Sequence, residues 1–217
     1  MSLNLLNHAN VVFWDFDGVI KESTCVKNQA YAQMFSKFGK ETIEKVIDHH
    51  GRNGGISREV KIPLYFSQFV GFKLSPQEIG ERCAEFSRMV VQKVIEAPWV
   101  HGVQVYLKSN PYHQRFVLVT GTPQGEIIEI LTHLEILECF QNVYGYPTTK
   151  ENAIYQELKS GTKAQDCLFI GDSNTDYEAA KANHIPFLLR ETGENKKMFL
   201  SYSGPRFNDF RKFYEPS

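Results

Sequence analysis

The stretch that organises this chain is an apolar run that ends in two acids, Val11-Val12-Phe13-Trp14-Asp15-Phe16-Asp17-Gly18-Val19. Four consecutive apolar residues predict a buried strand, and the carboxylates come where that strand ends. Because side chains alternate along an extended chain, Asp15 and Asp17 share one side of it. Two carboxylates this close repel each other unless a cation lies beside them. The pattern therefore predicts a metal-assisted site at the carboxyl end of a sheet strand.

A calcium-binding loop is the second interpretation of an Asp-x-Asp-Gly sequence. Such a loop needs further oxygen ligands at alternate positions and a closing glutamate about eleven residues after the first ligand. The chain continues instead with Ile20, Lys21 and Glu22 and then with a helical pattern. The calcium loop is therefore excluded.

The composition is that of a globular protein of 217 residues, with 42% hydrophobic and 23% charged residues. A formal net charge of −1 predicts no nucleic-acid partner and no anionic membrane partner. The apolar runs are too short to span a bilayer, and the amino terminus lacks a signal pattern. Four scattered cysteines without metal spacing are expected to be reduced, mostly buried thiols, as in a cytoplasmic protein. The expected state is a monomer, with a dimer as the alternative.

Apolar runs and helical patterns alternate along most of the chain. Three further runs predict buried strands, at residues 115–119, 167–170 and 186–189. Helical patterns follow them or lie between them, at residues 125–138, 150–159 and 175–183. This alternation predicts an α/β fold with a Rossmann-like, doubly wound parallel sheet, whose ligands bind at the carboxyl ends of the strands.

Residues 22–96 interrupt this alternation with a purely helical pattern. Ala30, Met34 and Phe38 recur at helical spacing, and the segment Ser75-Pro76-Gln77-Glu78 has the arrangement of a capping box. We therefore expect residues 1–21 and 97–217 to form the α/β core domain and residues 22–96 to form an inserted helical cap domain. Residues 97–103 are expected to form the returning hinge, and the aromatic tail, 205–217, to cover a sheet edge.

Three further segments carry polar residues where strands end or helices begin. In Val119-Thr120-Gly121-Thr122-Pro123, the Thr120 hydroxyl and the free amides of a helix start could bind phosphate oxygens, with Thr122 as the helix N-cap. The alternative is a strand end followed by a capped helix, with no ligand.

The other two segments supply a cation and two acids. Lys150 opens a helix, where its charge opposes the helix dipole and favours a nearby anion, although a solvated surface lysine is the alternative. In Gly171-Asp172-Ser173-Asn174-Thr175-Asp176, an acid at a strand end suits Mg²⁺. Asp176 has a capping-box relation to Ser173, which could replace a metal role or accompany it.

In this order the segments resemble the signature motifs of the haloacid dehalogenase-like hydrolase superfamily, whose members process phosphate esters. The resemblance implies that Asp15 is the nucleophile that forms an aspartyl-phosphate, and that Asp17 is the general acid and base. It implies a Mg²⁺ cofactor held by the Asp15 carboxylate, the Asp17 backbone carbonyl and Asp172. Asp176 would bind the metal directly or support its ligands.

The resemblance also implies a phosphate-binding set of Thr120, the Gly121 amide and Lys150. Residues 146–150 lack the Lys-Pro dipeptide of many relatives, so Lys150 departs from the usual pattern. Asp17 argues against true dehalogenase activity, because that branch lacks the second acid.

The sequence Gly54-Gly55-Ile56-Ser57-Arg58-Glu59 is similar to the substrate loop of the phosphoglycolate phosphatase and β-phosphoglucomutase branch. The similarity implies that Arg58, with Arg52 nearby, binds a second part of the substrate. The alternative is that Arg58 makes an ion pair at the surface or within the cap. We expect His49 and His50 to be a helix end exposed to water rather than a metal site.

Three functions are compatible with this pattern. The favoured one is a Mg²⁺-dependent phosphatase acting on a small phosphorylated metabolite, such as a sugar phosphate or a phosphoglycolate-like acid. The second is a β-phosphoglucomutase-like phosphomutase, in which the aspartyl-phosphate passes to a sugar hydroxyl rather than to water. The third is a non-catalytic phosphate-binding module that keeps the fold.

Overall fold

A computed structural model describes residues 2–214 and contains a six-stranded parallel sheet. The strands are β1 (Val11–Trp14), β2 (Arg115–Pro123), β3 (Asn142–Tyr146), β4 (Cys167–Gly171), β5 (Phe187–Arg190) and β6 (Arg206–Phe207). Their order across the sheet is β3-β2-β1-β4-β5-β6. The chain builds outwards in both directions from β1, which confirms the predicted doubly wound α/β fold. The order reverses between β1 and β4, where open α/β sheets form their binding crevices.

The helices that surround the sheet and fill the interrupting segment have the following bounds. They are α1 (Ser2–His8), α2 (Thr24–Met34), α3 (Lys40–Arg52), α4 (Arg58–Tyr65), α5 (Pro76–Glu96), α6 (Val103–Ser109), α7 (Gln124–His133), α8 (Lys150–Lys159), α9 (Asn174–Ala182) and α10 (Arg211–Tyr214). The predicted helix over 125–138 ends early, because Glu135 takes a left-handed conformation with φ 54°. A short 3₁₀ turn, Leu137–Cys139, follows it.

The central strand packs on both faces, as its continuous apolar run predicts. Val12 and Trp14 belong to one apolar cluster, and Val11 and Phe13 belong to the other. Helices therefore cover the sheet on both sides, which is the usual reason for strands without polar alternation.

Two strands lacked a signal in the sequence. Edge strand β3 is only partly buried and mixes polar, glycine and tyrosine residues, so it has no apolar run. Strand β6 has two residues and pairs with β5 at the other edge. The aromatic tail thus extends the sheet at its edge, as predicted, and then packs onto a face, where Phe210 stacks on Trp14 at 5.2 Å between ring centroids. Residues 215–217 of the predicted tail lie outside the described residues.

Helices α2 to α5 form the interrupting segment, which we call the helical insertion (residues 22–96). Its aromatic residues pack on one another, with Tyr31 and Phe86 at 4.4 Å and Phe35 and Phe66 at 5.0 Å between ring centroids. The predicted capping box at Ser75 is present at the start of α5. The division into a core domain and a cap domain stays a prediction, whereas the helical character of residues 22–96 is confirmed.

Two observations bear on the remaining expectations from composition. Among residues 2–214, no helix is long and apolar enough to cross a membrane. The four cysteines are free, but only Cys167 is buried, while Cys25 is exposed. The expectation of mostly buried thiols is therefore wrong: Cys25 lies on the outer face of α2, and Cys83 and Cys139 are half-buried.

Candidate active site

The carboxyl ends of β1 and β4 bring two acids together at the point where the strand order reverses. Asp15 follows β1, and its amide donates to the Ile170 carbonyl at 3.0 Å, which continues the pairing of the two strands. Asp172 follows β4, and both side chains are buried, Asp15 with 3% of its surface exposed. Gly18 turns the chain back with φ +75°, and a Cβ at this position would overlap the Asp172 carboxylate. The glycine of the first motif therefore makes room for the acid of the last one.

Asp15, Asp172 and Asp176 form a cluster in which one carboxylate oxygen from each lies within 4.8 Å of the others. Burial raises the pKa of Asp15 to about 7, and the charge of Asp176 adds to the effect, while Lys150 opposes it. Burial and the neighbouring acids likewise hold the pKa of Asp172 well above its ordinary value. Burial is the main cause of both pKa shifts, and the repulsion between neighbouring acids adds to it.

Lys150 is the cation that the chain supplies to this cluster. Its Nζ lies 2.7 Å from Asp15 Oδ1 and 2.5 Å from Asp176 Oδ1. Burial would lower the pKa of Lys150, but the two carboxylates outweigh burial and raise it, so the ammonium stays charged. Helix α8 places the lysine, and the Thr149 hydroxyl caps that helix by accepting from the Asn152 amide at 3.2 Å. The alternative of a solvated surface lysine is wrong.

Asp176 organises the loop that carries Asp172. Its Oδ2 accepts from the Asp172 amide at 3.2 Å, from the Ser173 amide at 3.0 Å and from the Ser173 hydroxyl at 2.6 Å. Its Oδ1 accepts from Lys150. The predicted capping relation to Ser173 is therefore present, and the same carboxylate also holds Lys150 against Asp15.

Asp17 lies in a different electrostatic setting from Asp15. Its Oδ1 accepts from the Ser23 hydroxyl at 2.6 Å, and its Oδ2 pairs with the Lys27 ammonium. Burial acts to raise the pKa of Asp17, but the charge and hydrogen bond of Lys27, together with Ser23, outweigh it and lower the pKa. In the substrate-free protein the two acids of the first motif thus differ in proton affinity, and Asp15 holds a proton more tightly than Asp17.

Thr120 and Gly121 lie on β2 next to the acids, within the extended part of the strand. The Thr122 amide donates to the Thr120 hydroxyl oxygen at 3.2 Å, which leaves the hydroxyl hydrogen for another acceptor. The prediction that Thr122 caps the next helix is wrong, because β2 continues to Pro123 and α7 begins at Gln124 without a side-chain cap. The Thr122 hydroxyl instead accepts from Lys27 at 3.1 Å.

The helical insertion reaches directly into this site through Gly54 and Gly55. The Thr175 hydroxyl, at the start of α9, donates to the Gly54 carbonyl. Gly55 has φ +80°, and a Cβ there would overlap the Thr175 hydroxyl and crowd Lys150. A Cβ on Gly121 would overlap the Gly55 carbonyl. The insertion and the sheet domain therefore meet at a backbone contact that only glycine permits.

Arg58 and Arg52, the two predicted substrate-binding arginines, have very different surroundings. Arg58 is 4% exposed, donates to the Ser87 hydroxyl at 2.8 Å, and pairs with Glu126 of α7. Its pairing partner lies outside the insertion, so the alternative of a surface or cap-internal ion pair is wrong in both forms. Arg52 is exposed and pairs with Asp48, one turn earlier in α3. Both arginines line the cavity described next, and their contact with a substrate stays a prediction.

A cavity of about 580 Å³ lies between the helical insertion and the sheet. Asp15, Asp17 and Asp172 line it on the sheet side, and Tyr31, His50 and Lys61 line it on the insertion side. The expectation that His49 and His50 are exposed to water is wrong. Both are partly buried: His50 lies against Tyr31 at 4.7 Å between ring centroids, and His49 contacts the Tyr65 hydroxyl at 3.2 Å.

Sequence reasoning missed three residues that shape the site. Lys27 and Lys61 are single lysines within amphipathic helices, so nothing in their local pattern separates them from surface lysines. Asn195 lies in a loop beyond the last predicted strand, and its Nδ2 donates to the Asp172 carbonyl at 2.8 Å. One signal was available for Lys27: it lies at the start of α2, only ten residues after Asp17.

A divalent cation fits the donor set of this site. The three clustered side chains offer only carboxylate oxygens, which hard cations such as Mg²⁺ prefer. Among residues 2–214, Lys150 is the only cation paired with that cluster, and the pKa values of Asp15 and Asp172 stay raised despite it. A bound cation would relieve this repulsion, so the geometry and the charges agree with a metal site.

Comparison with known proteins places this geometry in a family. The family model for haloacid dehalogenase-like hydrolases matches residues 12–189. A phosphorylated carbohydrates phosphatase from Thermotoga maritima is 24% identical over 181 residues, which span 80% of this chain and 81% of the relative. A phosphoglycolate phosphatase from Colwellia psychrerythraea is 24% identical over 212 residues, which span 93% of both chains.

Solved structures with a similar fold include an enzyme that acts on phosphorylated sugars, as its name states. A β-phosphoglucomutase from Clostridium difficile aligns with a TM-score of 0.75 at 18% identity, over 94% of this chain and 92% of that one. At this identity the likeness concerns the fold alone. The resemblance drawn from the four motifs is confirmed by the family match and by the sequence relatives.

Proposed function

The chain belongs to the haloacid dehalogenase-like hydrolase family, and from that premise we propose that it is a Mg²⁺-dependent phosphatase of small phosphorylated metabolites. The observation that carries the proposal is the convergence of the Asp15, Asp172 and Asp176 carboxylates with the Lys150 ammonium, in a cluster whose Asp15 and Asp172 line the cavity. The names of the two sequence relatives support a sugar phosphate or a phosphoglycolate-like acid as the substrate.

In the first proposed step, an Asp15 carboxylate oxygen attacks phosphorus and the bond from phosphorus to the substrate oxygen breaks. The leaving alkoxide takes a proton from Asp17, and the phosphoryl group stays on Asp15 as an aspartyl-phosphate. Asp17 is ionised before substrate binds, because Lys27 and Ser23 favour its charged form. The negative phosphoryl group raises the proton affinity of Asp17 once it arrives, since like charges disfavour ionisation, and Asp17 then takes up from solvent the proton that it gives to the alkoxide.

In the second proposed step, Asp17 takes a proton from a water molecule that attacks the same phosphorus. The bond from phosphorus to Asp15 then breaks, which releases inorganic phosphate and restores the free carboxylate. The low pKa of Asp17 in the substrate-free protein suits the return of this proton to solvent between cycles. One acid can thus serve both steps because the charge beside it changes.

Thr120, the Gly121 amide and Lys150 are the proposed ligands of the non-reacting phosphoryl oxygens. The Thr120 hydroxyl has a free hydrogen, since its oxygen already accepts from the Thr122 amide. Lys150 carries a fixed positive charge against Asp15. These donors would neutralise and position a group that transfers largely by charge stabilisation.

The proposed metal ligands are the carboxylates of Asp15 and Asp172 and the backbone carbonyl of Asp17. When bound, Mg²⁺ would supply the positive charge that lets one anion approach another. The hydrogen bonds of Asp176 to the Asp172 loop and to Lys150 support a role in holding these ligands rather than in direct coordination.

We further propose that the helical insertion acts as a cap that closes over the site. Gly54 and Arg58, which both line the cavity, join it to Thr175 and Glu126 outside the insertion. Closure would exclude bulk water, which strengthens every charge interaction inside. A monomer in the cytoplasm stays the prediction from composition.

A phosphomutase is the second candidate, supported by the fold shared with the β-phosphoglucomutase. Both reactions begin with the same attack by Asp15 and differ only in whether water or a sugar hydroxyl receives the phosphoryl group. The products separate them: a phosphatase releases inorganic phosphate, whereas a mutase forms an isomer and depends on a bisphosphate activator.

The test is a screen of phosphorylated metabolites and a generic aryl phosphate with free phosphate as the readout. We expect Mg²⁺-dependent release by the wild type and a loss of at least about 10³-fold in Asp15→Asn, because an amide is not a nucleophile here. Circular dichroism and thermal unfolding should show a folded variant, since the substitution removes a buried repulsive charge. Near-wild-type rates in Asp15→Asn would refute the nucleophile assignment, and no release from any compound would favour a non-catalytic module.

A further inference from the structure

Lys61 of α4 is a buried ammonium without a carboxylate partner. It is 1% exposed, and its one polar contact within residues 2–214 is His50 Nδ1, at 2.9 Å from Nζ. A buried charge normally has a counter-charge, because desolvation disfavours an isolated ion. Because Lys61 lines the cavity, an anionic ligand bound in the cavity could supply the missing counter-charge.

Three other buried or half-buried cations near the site have carboxylate partners, whereas Lys21, which does not line the cavity, donates to the Ile95 carbonyl. Lys150 pairs with Asp15 and Asp176, Lys27 pairs with Asp17, and Arg58 pairs with Glu126. Arg58, the residue that sequence similarity assigns to the substrate, thus has its charge satisfied by the protein. Lys61 is the cation whose charge is left for a ligand.

His50 completes the polar surface at this point of the cavity. Because the Lys61 ammonium is a donor only, His50 accepts at Nδ1, so the hydrogen of its neutral ring lies on Nε2. Burial keeps the pKa of His50 well below its ordinary value, and Lys61 adds to that effect. Lys61 and His50 therefore supply hydrogen-bond donors at residues that line one cavity.

The electrostatics of Lys61 are consistent with a missing anion. Burial, with the positive charges of Lys27 and Lys150, lowers the pKa of Lys61 to about 7, while Asp17 acts in the opposite direction. An anion bound beside Lys61 would raise the pKa of Lys61, as Asp17 does, and would so favour its charged form. The cavity of about 580 Å³ that joins Lys61 to Asp15 exceeds what a phosphoryl group alone requires.

We propose that Lys61 and His50 form a subsite for a second anionic group of the substrate, a carboxylate or a second phosphate, while Asp15 receives the phosphoryl group. This inference rests on the proposed phosphatase function and narrows its substrates to phosphate monoesters with an additional negative charge. Arg58 then acts as a positioning residue that joins the insertion to α7.

The test compares straight-chain phosphate monoesters of increasing length that end in a hydroxyl, a carboxylate or a second phosphate. We expect the wild type to prefer one of the anionic ends over the hydroxyl end by about tenfold or more in kcat/KM, the size of a charged hydrogen bond. The carboxylate and phosphate arms identify which anion the subsite takes. The chain length of the best compound gives its distance from the phosphoryl site.

Two variants measure the role of Lys61 in that preference. In Lys61→Met, which keeps the shape of the stem, we expect the preference for the anionic end to fall to within about twofold, mainly through a higher KM. Lys73→Met removes an exposed lysine of the same insertion and should leave the preference unchanged. Circular dichroism confirms that both variants are folded.

The outcomes separate this inference from the function on which it rests. If no ester and no aryl phosphate releases phosphate, the proposed function fails. If the hydroxyl-ended esters react as well as the anionic ones in the wild type, or Lys61→Met keeps the full preference, the subsite is refuted while the phosphatase stands. The wild-type comparison decides the question even if Lys61→Met does not fold.

Discussion

Arg58 shows how a side chain that sequence similarity assigns to the substrate can also have partners within the protein. The local sequence is similar to a substrate loop, yet the guanidinium lies over the Phe86 ring at 4.7 Å and is bound by Ser87 and Glu126. Within the protein, Glu126 balances the charge of Arg58, and two of its N–H groups donate to Ser87 and Glu126. Its partner, Glu126, belongs to α7 and is nearly as buried as the arginine. The pair therefore couples the helical insertion to the sheet domain.

A double-mutant cycle on this pair distinguishes an ion pair that links the insertion to α7 from a residue that binds the substrate. Arg58→Ala leaves a buried carboxylate without a partner, so we expect kcat/KM to fall by about tenfold or more for every substrate. Glu126→Ala in the Arg58→Ala background should restore part of that loss, because the unpaired charge is removed. Steady-state kinetics on two substrates measure both effects.

The opposite pattern would assign Arg58 to the substrate after all. In that case Arg58→Ala would change the preference between substrates, as its loop sequence implies, and Glu126→Ala would not restore activity. Thermal unfolding of the single and double variants serves as the control for folding.

At the scale of elements, the site depends on the close approach of a loop of the insertion to the carboxyl end of β2 and to the start of α9. Gly55 lies against Gly121 of β2 and against Thr175 of α9. The turn before α4 thus inserts between a strand end and a helix start, and Thr175 fixes it by donating to the Gly54 carbonyl. Glycine is required here by its left-handed conformation and by the lack of space for a Cβ.

Gly55→Ala tests this contact. The added Cβ would strain a backbone at φ +80° by about 1–2 kcal/mol and would overlap Thr175, so we expect the insertion to close less well. The expected result is a decrease in kcat/KM of about tenfold or more.

Gly80→Ala is the matched control, because Gly80 is exposed within α5 and an alanine there meets no atom within 4 Å. Gly80→Ala should keep full activity and gain about 0.5–1 kcal/mol of stability. Equal kinetics in the two variants would show that the contact does not limit catalysis.

For the whole molecule, the acid cluster links metal binding to folding stability. The pKa of Asp15 rises from 3.8 to about 7 on folding, so between these values the folded metal-free protein binds a proton that the unfolded chain has lost. The stability of the metal-free protein therefore falls as pH rises through this window, and the penalty is complete above about pH 7. Asp172 acts in the same direction.

Mg²⁺ should therefore stabilise the protein more at about pH 8 than at about pH 5.5, where protons compete for the same carboxylates. At a concentration near 100 times Kd, the expected stabilisation at the higher pH is about 2.7 kcal/mol, or a rise in Tm of roughly 5–10 °C. Differential scanning fluorimetry with and without Mg²⁺ measures the shift. Asp172→Asn should lose most of it. A shift of equal size at both pH values, or in Asp172→Asn, would contradict the assignment of the metal site.

Much of the fold could be read from local patterns. Continuous apolar runs identify β1, β2, β4 and β5, because strands buried on both faces have no polar alternation. Edge strand β3 was not predictable in this way, since only one of its five residues is buried. The end of the helix before it was also missed, because a left-handed Glu135 has no distinctive composition.

The acids, Thr120, Gly121 and Lys150 were found from sequence because each is next to a strand end or a helix start, which parallel topology brings to one edge of the sheet. The sequence by itself therefore determined the family, the four inner strands of the sheet and the motif residues of the site. Only the tertiary structure decided how charges are paired across the cavity: Lys27 with Asp17, Arg58 with Glu126, and Lys61 with no carboxylate within residues 2–214. The physical reason is that motif residues are positioned by their own strand ends, whereas pairing depends on which helix faces meet, a property of packing between distant segments.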